Sequence, residues 1–182
     1  KMKVAGVPPQ PPAKWPENLA SKPSVEIPKG VTQLLDLTYA QYGARKMLAD
    51  VFLPTGKGPH SGVLIIHGGG WAKGDKMKFR SIGLEMAKRG YVSMAMEYRL
   101  SGESHFPANI HDCHAAVRYL RANAKEYNLD PDRIGVVGGS AGGHLAGLLA
   151  TTSKVKTLHG DGGNETFSSK VQAAVVMSGP MR

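Results

Sequence analysis

Apolar positions along the chain recur in two different periods, and the switches between them mark out the elements. Leu34 to Tyr39 alternates apolar with polar, and Arg45 to Leu53 alternates again, with Tyr42-Gly43 between them. Two alternating runs around a short glycine-containing loop predict an antiparallel hairpin at a sheet edge. Val63-Leu64-Ile65-Ile66 is instead a continuous apolar run that stops at His67 and a row of glycines, the pattern of a strand buried on both faces. Phe79 to Lys88 has helical periodicity and is closed by Arg89-Gly90, with glycine where a helix C-terminus favours it. Tyr91 to Met96 predicts a second buried strand. Pro107 then opens a helix whose apolar stripe is Ile110, Cys113, Val117 and Leu120. Asp130-Pro131-Asp132 predicts a turn, Ile134 to Val137 a strand, and Ala141 to Ala150 a helix of small residues. The polar, glycine-rich stretch Leu158 to Ser169 predicts a loop, and Val171 to Met177 a last buried strand. Strands and helices that alternate after an edge hairpin predict an α/β fold, its mostly parallel sheet covered by helices on both faces.

Composition bounds this picture. A chain of 182 residues accommodates one core, so residues 31–182 are expected to belong to a single domain. Residues 1–30 are expected to form an extended leader, because Pro8, Pro9, Pro11, Pro12, Pro16, Pro23 and Pro28 fix φ and remove donors. Leaders of this kind often follow cleaved export signals, which points to a secreted or periplasmic protein. Cytoplasmic proteins carry them too, and a cytoplasmic location is the alternative. No apolar stretch is long enough to span a bilayer, so no membrane partner is expected. The net charge of +9 is compatible with nucleic-acid binding. The cations are scattered, however, without a basic stripe interleaved with aromatics, and no nucleic-acid partner is expected. Cys113 is the single cysteine, which rules out an intrachain disulfide and a cysteine metal site. It falls on the apolar stripe of its helix, where it reads as a small buried hydrophobe.

Two glycine-rich elements carry the candidate chemistry. Gly138-Gly139-Ser140-Ala141-Gly142 fits G-x-S-x-G between a predicted strand and a predicted helix, the context that pattern requires. A sharp turn there lifts a serine hydroxyl above the sheet. The helix that follows turns the Ala141 N–H and its dipole toward any oxyanion that develops. Alone, such a turn could equally bind a phosphate or do nothing special. The second element, His67-Gly68-Gly69-Gly70-Trp71, follows a buried strand directly and offers backbone donors unobstructed by side chains. It lacks both the Gly-Lys-Ser/Thr ending of a phosphate loop and the G-x-G-x-x-G spacing of a dinucleotide site.

With these stretches the chain resembles the HGGG-type serine esterases of the α/β-hydrolase superfamily, relatives of hormone-sensitive lipase. It is most similar to their bacterial feruloyl- and acetyl-xylan-esterase-like branch. Further stretches that carry the resemblance are Gly74-Asp75-Lys76, Tyr98-Arg99-Leu100, Phe106-Pro107-Ala108, Asp130-Pro131-Asp132-Arg133-Ile134 and Gly143-His144-Leu145. The resemblance implies Ser140 as nucleophile, Gly69, Gly70 and Ala141 as oxyanion donors, and no metal or cofactor. It implies a small-molecule or carbohydrate ester as substrate, with a short acetyl or feruloyl group. Tyr-Arg-Leu continues as Ser101-Gly102-Glu103 where hormone-sensitive-lipase relatives have Ala-Pro-Glu, which favours the carbohydrate-esterase-like branch.

In this fold the triad runs Ser, then Asp or Glu, then His, the last two on loops after further strands. The resemblance therefore places the acid and the base outside these residues, on a C-terminal part of the fold that could be a separate chain. None of the seven histidines has the expected position. His67 reads as a structural hydrogen-bonder beside the glycine loop. His144 lies one helical turn past Ser140 and points into the fold. His111 and His114 belong to the long helix, His60 to a loop, and His105 to the pocket edge. His159, near Asp161, has the right order on the wrong loop. Asp112 reads as an ion-pair partner of Arg99, and Asp75 as the residue that holds the glycine-loop turn. Lys73, Lys76, Lys78 and Arg80 are expected near the pocket rim, either as a solvated loop or as an attractor of acidic esters. A catalytically silent binding protein and a peptidase or amidase of the same superfamily are the rival readings.

Overall fold

A computed structural model describes residues 27–180, so the leader predicted over residues 1–30 lies outside the described residues except for its last four. The elements are β1 (Val31–Tyr42), β2 (Arg45–Pro54), β3 (His60–Ile66), α1 (Arg80–Lys88), β4 (Val92–Met96), α2 (Ala108–Ala122), β5 (Leu129–Gly139), α3 (Ala141–Thr151) and β6 (Ala173–Met177). The strands form one sheet in the order β1-β2-β4-β3-β5-β6. β1 and β2 are the predicted hairpin, and β2 also runs antiparallel to β4. β4, β3, β5 and β6 are mutually parallel. This is the mostly parallel, edge-hairpin sheet of the α/β-hydrolase fold.

Strand periodicity sorts the core onto two faces. Val51, Leu64, Ile66, Met94, Met96, Ile134 and Val136 face α2 and α3 in one cluster with Ile110, Val117, Leu120, Leu145 and Leu149. Their neighbours Phe52, Ile65, Ala95 and Val137 face the other way, against Ile82, Leu84 and Ala87 of α1. Each strand therefore needs apolar side chains on both faces, which is why β3 and β4 read as continuous apolar runs. The chain leaves β3 to form β4 on one side, then crosses to form β5 on the other. The sheet's direction of growth reverses at β3, and a crevice opens beyond the C-terminal ends of β3 and β5, the usual place for a ligand in an open α/β sheet.

Two expectations are corrected. The run Val171–Met177, predicted as a buried strand, pairs only from Ala173, and every β6 residue is exposed, Val175 at 53%. β6 is the outer strand of the described sheet and is paired along one edge only; an apolar run reads the same whether or not its faces are covered. The Asp130-Pro131-Asp132 turn is absorbed into β5 as an irregularity. Its pairing to β3 shifts between Leu129 and Ile134, while Asp130 Oδ1 accepts from the Asp132 N–H at 3.0 Å.

The loop after α3 is docked on α2 by buried polar groups. Arg118 donates to the carbonyls of His159 and Gly163 at 2.8 and 2.9 Å. Thr152 Oγ1 gives its hydrogen to the Leu148 carbonyl at 2.6 Å, so it accepts from His114 Nε2 at 3.1 Å. That leaves His114 Nδ1 as acceptor toward Ser169 Oγ at 2.7 Å, a neutral imidazole. Burial, reinforced by His159, Arg118 and His111, lowers its pKa from 6.5 to about 3. The unfolded chain therefore takes up this proton first, and the contribution is whole above about pH 6.5 and lost as pH falls toward 3. Between pH 6.5 and 5 His114 is expected to remove about 2 kcal/mol of stability. Denaturant unfolding across that range should show a flatter pH dependence in His114→Gln, and equal slopes would refute the assignment.

Candidate active site

Ser140 stands between the end of β5 and the first turn of α3, with φ 54° and ψ −121°. This is a left-handed conformation that costs a non-glycine residue about 1–2 kcal/mol, so the surroundings must enforce it. They do so by close packing. A Cβ on Gly142 would lie 2.2 Å from the Ile66 carbonyl oxygen, and one on Gly138 would lie 2.1 Å from the Gly142 carbonyl oxygen. Gly142 thus lets α3 settle against the end of β3, and Gly138 lets it fold back against the end of β5. The Ser140 N–H donates to Met177 O of β6 at 2.8 Å, and its carbonyl accepts from the His144 N–H at 3.0 Å. The backbone is fixed on both sides, while the residue itself is exposed and its hydroxyl has no partner among the described residues.

The glycine loop rises from the neighbouring strand end. Gly69 has φ +140°, and a Cβ there would meet the Lys73 carbonyl oxygen at 1.8 Å, because Ala72 and Lys73 both donate back to Gly69 O. Underneath, His67 is neutral: its Nδ1 donates to Gly68 O at 2.9 Å, and burial lowers its pKa. Its ring stacks on Tyr98 at 4.3 Å, and the Tyr98 hydroxyl donates to His67 O at 3.1 Å. Ser101 N donates to Trp71 O at 2.8 Å, so the Tyr98-Arg99-Leu100 stretch braces the loop from behind. Arg99 in turn is held by Asp112, with Nη2 2.8 Å from Oδ1 and the backbone N–H 2.7 Å from Oδ2, as the sequence reading expected. Asp75 closes the loop by accepting the Met77 N–H at 2.8 Å, also as expected.

The two elements enclose a cavity of about 470 Å³ lined by Gly68, Gly69, Gly70, Gly139 and Ser140, with Lys73, Lys78, Phe79, Met177 and Ser178 completing the walls. Ala141 is buried at the start of α3. The N–H groups of Gly69, Gly70 and Ala141 donate to no described residue, and Gly69 and Gly70 line the same cavity as Ser140. Phe79, Met177 and Ser178 were not singled out from the sequence; Phe79 reads there as a helix start and the other two as a strand end.

Among the described residues, no histidine or carboxylate lines this cavity. His105 is exposed and does not border it. His144 meets Trp71 edge-on at 5.4 Å, and its buried Nδ1 has no partner among the described residues. His159 packs on His114 at 4.7 Å, His111 bonds Thr157 O, and His60 bonds Gly90 O. Cys113 is fully buried, which pushes its thiol pKa up, away from reactivity.

The four cations after the loop do not behave as one cluster, which corrects the expectation that all lie at the rim. Lys76 is 6% exposed and binds Asp50 Oδ1 at 2.8 Å and Asp36 Oδ1 at 2.7 Å. Burial pulls the Lys76 pKa down, but the hydrogen bonds from Asp36 and Asp50 outweigh it, and the ammonium lies above the usual lysine range. Arg80 donates to Asp50 Oδ2 at 2.6 and 3.0 Å. Asp50, fully buried on β2, also accepts the Asp36 N–H at 3.0 Å. It ties the hairpin to the segment that follows the glycine loop. Its only sequence signal is a lone carboxylate within a strand of apolar residues.

Residues 49–182 match the family model BD-FAE. The chain belongs to the BD-FAE family. It is 36% identical over 151 residues to the probable carboxylic ester hydrolase LipM of Mycobacterium tuberculosis, an alignment that covers 79% of this chain and 34% of LipM. Among solved structures, a truncated form of a carbohydrate esterase from gut microbiota superposes with TM-score 0.74 at 33% identity, over 82% of this chain and 57% of that one. Thermogutta terrifontis esterase 2 phosphorylated by paraoxon gives TM-score 0.70 at 29% identity, over 85% and 58%. This BD-FAE chain thus spans about a third of its curated relative and a little over half of those solved chains. The resemblance to esterases related to hormone-sensitive lipase is borne out.

Two substitutions separate packing from backbone strain in the family's glycine motifs. Gly142→Ala has no room for its methyl group and is expected to cost about 3 kcal/mol. Gly70→Ala meets no atom within 4 Å and bears only the cost of φ +61°, about 1 kcal/mol. Equal losses in chemical denaturation would show that close approach is not what holds the elbow. Asp50→Ala, which leaves half-buried Arg80 without its carboxylate and buried Lys76 with Asp36 alone, is expected to lower stability by about 3 kcal/mol, read from the same unfolding midpoints.

Proposed function

We propose that this protein is a carboxylic ester hydrolase in which Ser140 is the nucleophile. The observation that carries the reading is the strained, exposed Ser140, which lines one cavity with Gly69 and Gly70 and is followed directly by the start of α3 at Ala141. Ser140 Oγ would attack the ester carbonyl carbon while its proton passes to a base. The carbonyl π electrons move to oxygen, where the three N–H groups and the start of α3 stabilise the charge. Collapse of that intermediate expels the alcohol, which takes the proton, and leaves an acyl-serine. Water, deprotonated by the same base, then releases the acid and restores Ser140.

The base and its orienting carboxylate are assigned to residues other than those described, since neither type lines the cavity. Coverage of only 57% of the carbohydrate-esterase chain is consistent with that assignment. The same likeness, together with the glycine-lined cavity, supports short acyl esters of carbohydrates as substrates. The missing base also suits a second reading, a binding protein that holds an ester without cleaving it.

Fluorophosphonate labelling and 4-nitrophenyl acetate turnover separate these readings. The full chain is expected to form a covalent adduct that mass spectrometry places on Ser140, as paraoxon phosphorylates the Thermogutta esterase. Ser140→Ala should lose the adduct and about 10⁴-fold or more of the turnover. Turnover that survives Ser140→Ala would overturn the assignment, and neither labelling nor turnover in the wild type would favour the binding protein.

A further inference from the structure

Of the four cations that follow the glycine loop, two are neutralised and two are not. Lys76 and Arg80 turn inward and are paired with Asp50 and Asp36. Lys73 and Lys78 are exposed, form no ion pair among the described residues, and border the cavity that contains Ser140. Lys78 Nζ reaches only a carbonyl, Gly68 O at 3.4 Å. Lys73 is anchored at its base: its N–H donates to Gly69 O at 3.1 Å, so its side chain starts from the oxyanion loop itself. Among the described residues, no carboxylate lines the cavity to offset either charge.

We infer that the site selects esters that bear a negative charge, a carboxylate on either the alcohol or the acyl half, with Lys73 and Lys78 as its receptors. The inference deepens the esterase reading and rests on it. Asp50 acts here by subtraction. By holding Lys76 and Arg80 away from the cavity it limits the field at Ser140 to two mobile ammonium groups. Phe79 and Met177 line the cavity beside the two lysines, and an apolar wall next to a charge offers it less competing polarity than a wholly polar surface would. The same field favours the oxyanion, but it does so equally for charged and neutral esters, so the ratio between them isolates recognition.

Two matched pairs read that ratio with the full chain. They are 4-acetoxybenzoate against 4-acetoxybenzamide, and the 4-nitrophenyl monoester of adipic acid against 4-nitrophenyl hexanoate. In at least one pair, Lys73→Glu is expected to lower the charged-to-neutral ratio of kcat/KM about 10-fold, mainly through KM. Lys78→Gln should lower it less, and raised salt should narrow the wild-type ratio. A ratio that neither substitution moves overturns the inference and leaves the esterase reading intact. If neither pair is turned over, NMR titration of Ser140→Ala with 4-hydroxybenzoate and 4-hydroxybenzamide decides. A preference for the acid that Lys73→Glu abolishes would keep the anion site and remove the esterase reading; equal or absent binding removes both.

Discussion

Everything at the crevice depends on how closely the start of α3 approaches the end of β3. The Gly142 backbone lies so near the Ile66 carbonyl that a methyl group would sit 2.2 Å from it. This contact sets the angle at which the chain leaves β5, and that angle forces Ser140 into positive φ. The strain is local, whereas the packing that sustains it is spread over the face that α3 shares with α2 and the sheet. The serine is thus presented by the core rather than by a loop, and its backbone is held on both sides by hydrogen bonds to β6 and α3.

A second layer of order comes from buried polar groups, each with a defined partner. Tyr98 and His67 support the glycine loop through a ring stack and two carbonyl contacts. Arg99 and Asp112 fix the start of α2 relative to the segment that braces that loop. Asp50 performs the comparable task on the opposite face of the sheet, where it draws three donors from two other segments. Removing one member of such a set leaves a desolvated charge behind, so these groups resist substitution more than their number of contacts suggests. The arrangement also sorts the four cations that follow the glycine loop, with Lys76 and Arg80 paired inside and Lys73 and Lys78 along the cavity.

Much of this was legible before any coordinates. The hairpin, β3, β4, the two long helices and the Ser140 turn follow from periodicity and from glycines in context. The Asp75 turn was legible because its bond spans two residues, and the Arg99–Asp112 pair because a carboxylate on the apolar helix α2 needs a cationic partner. The exposure of β6 was not legible, since Ala173-Ala174-Val175-Val176-Met177 carries the same apolar pattern as a central strand. The difference lies in which neighbours a strand has, and a pattern along one segment does not encode them.

The sequence by itself determined the order of strands and helices, the two glycine-rich turns and the family to which they belong. These depend on local conformational preference and on spacing, which act within a few residues. Tertiary structure alone decided that Lys76 and Arg80 face Asp50 while Lys73 and Lys78 border the cavity that contains Ser140. It also decided that Phe79, Met177 and Ser178 complete the cavity, and that no described histidine borders it. Those outcomes turn on which distant segments share a face or an edge. Burial energies and ion pairing settle that only once β2, β3, β5 and β6 have been brought side by side.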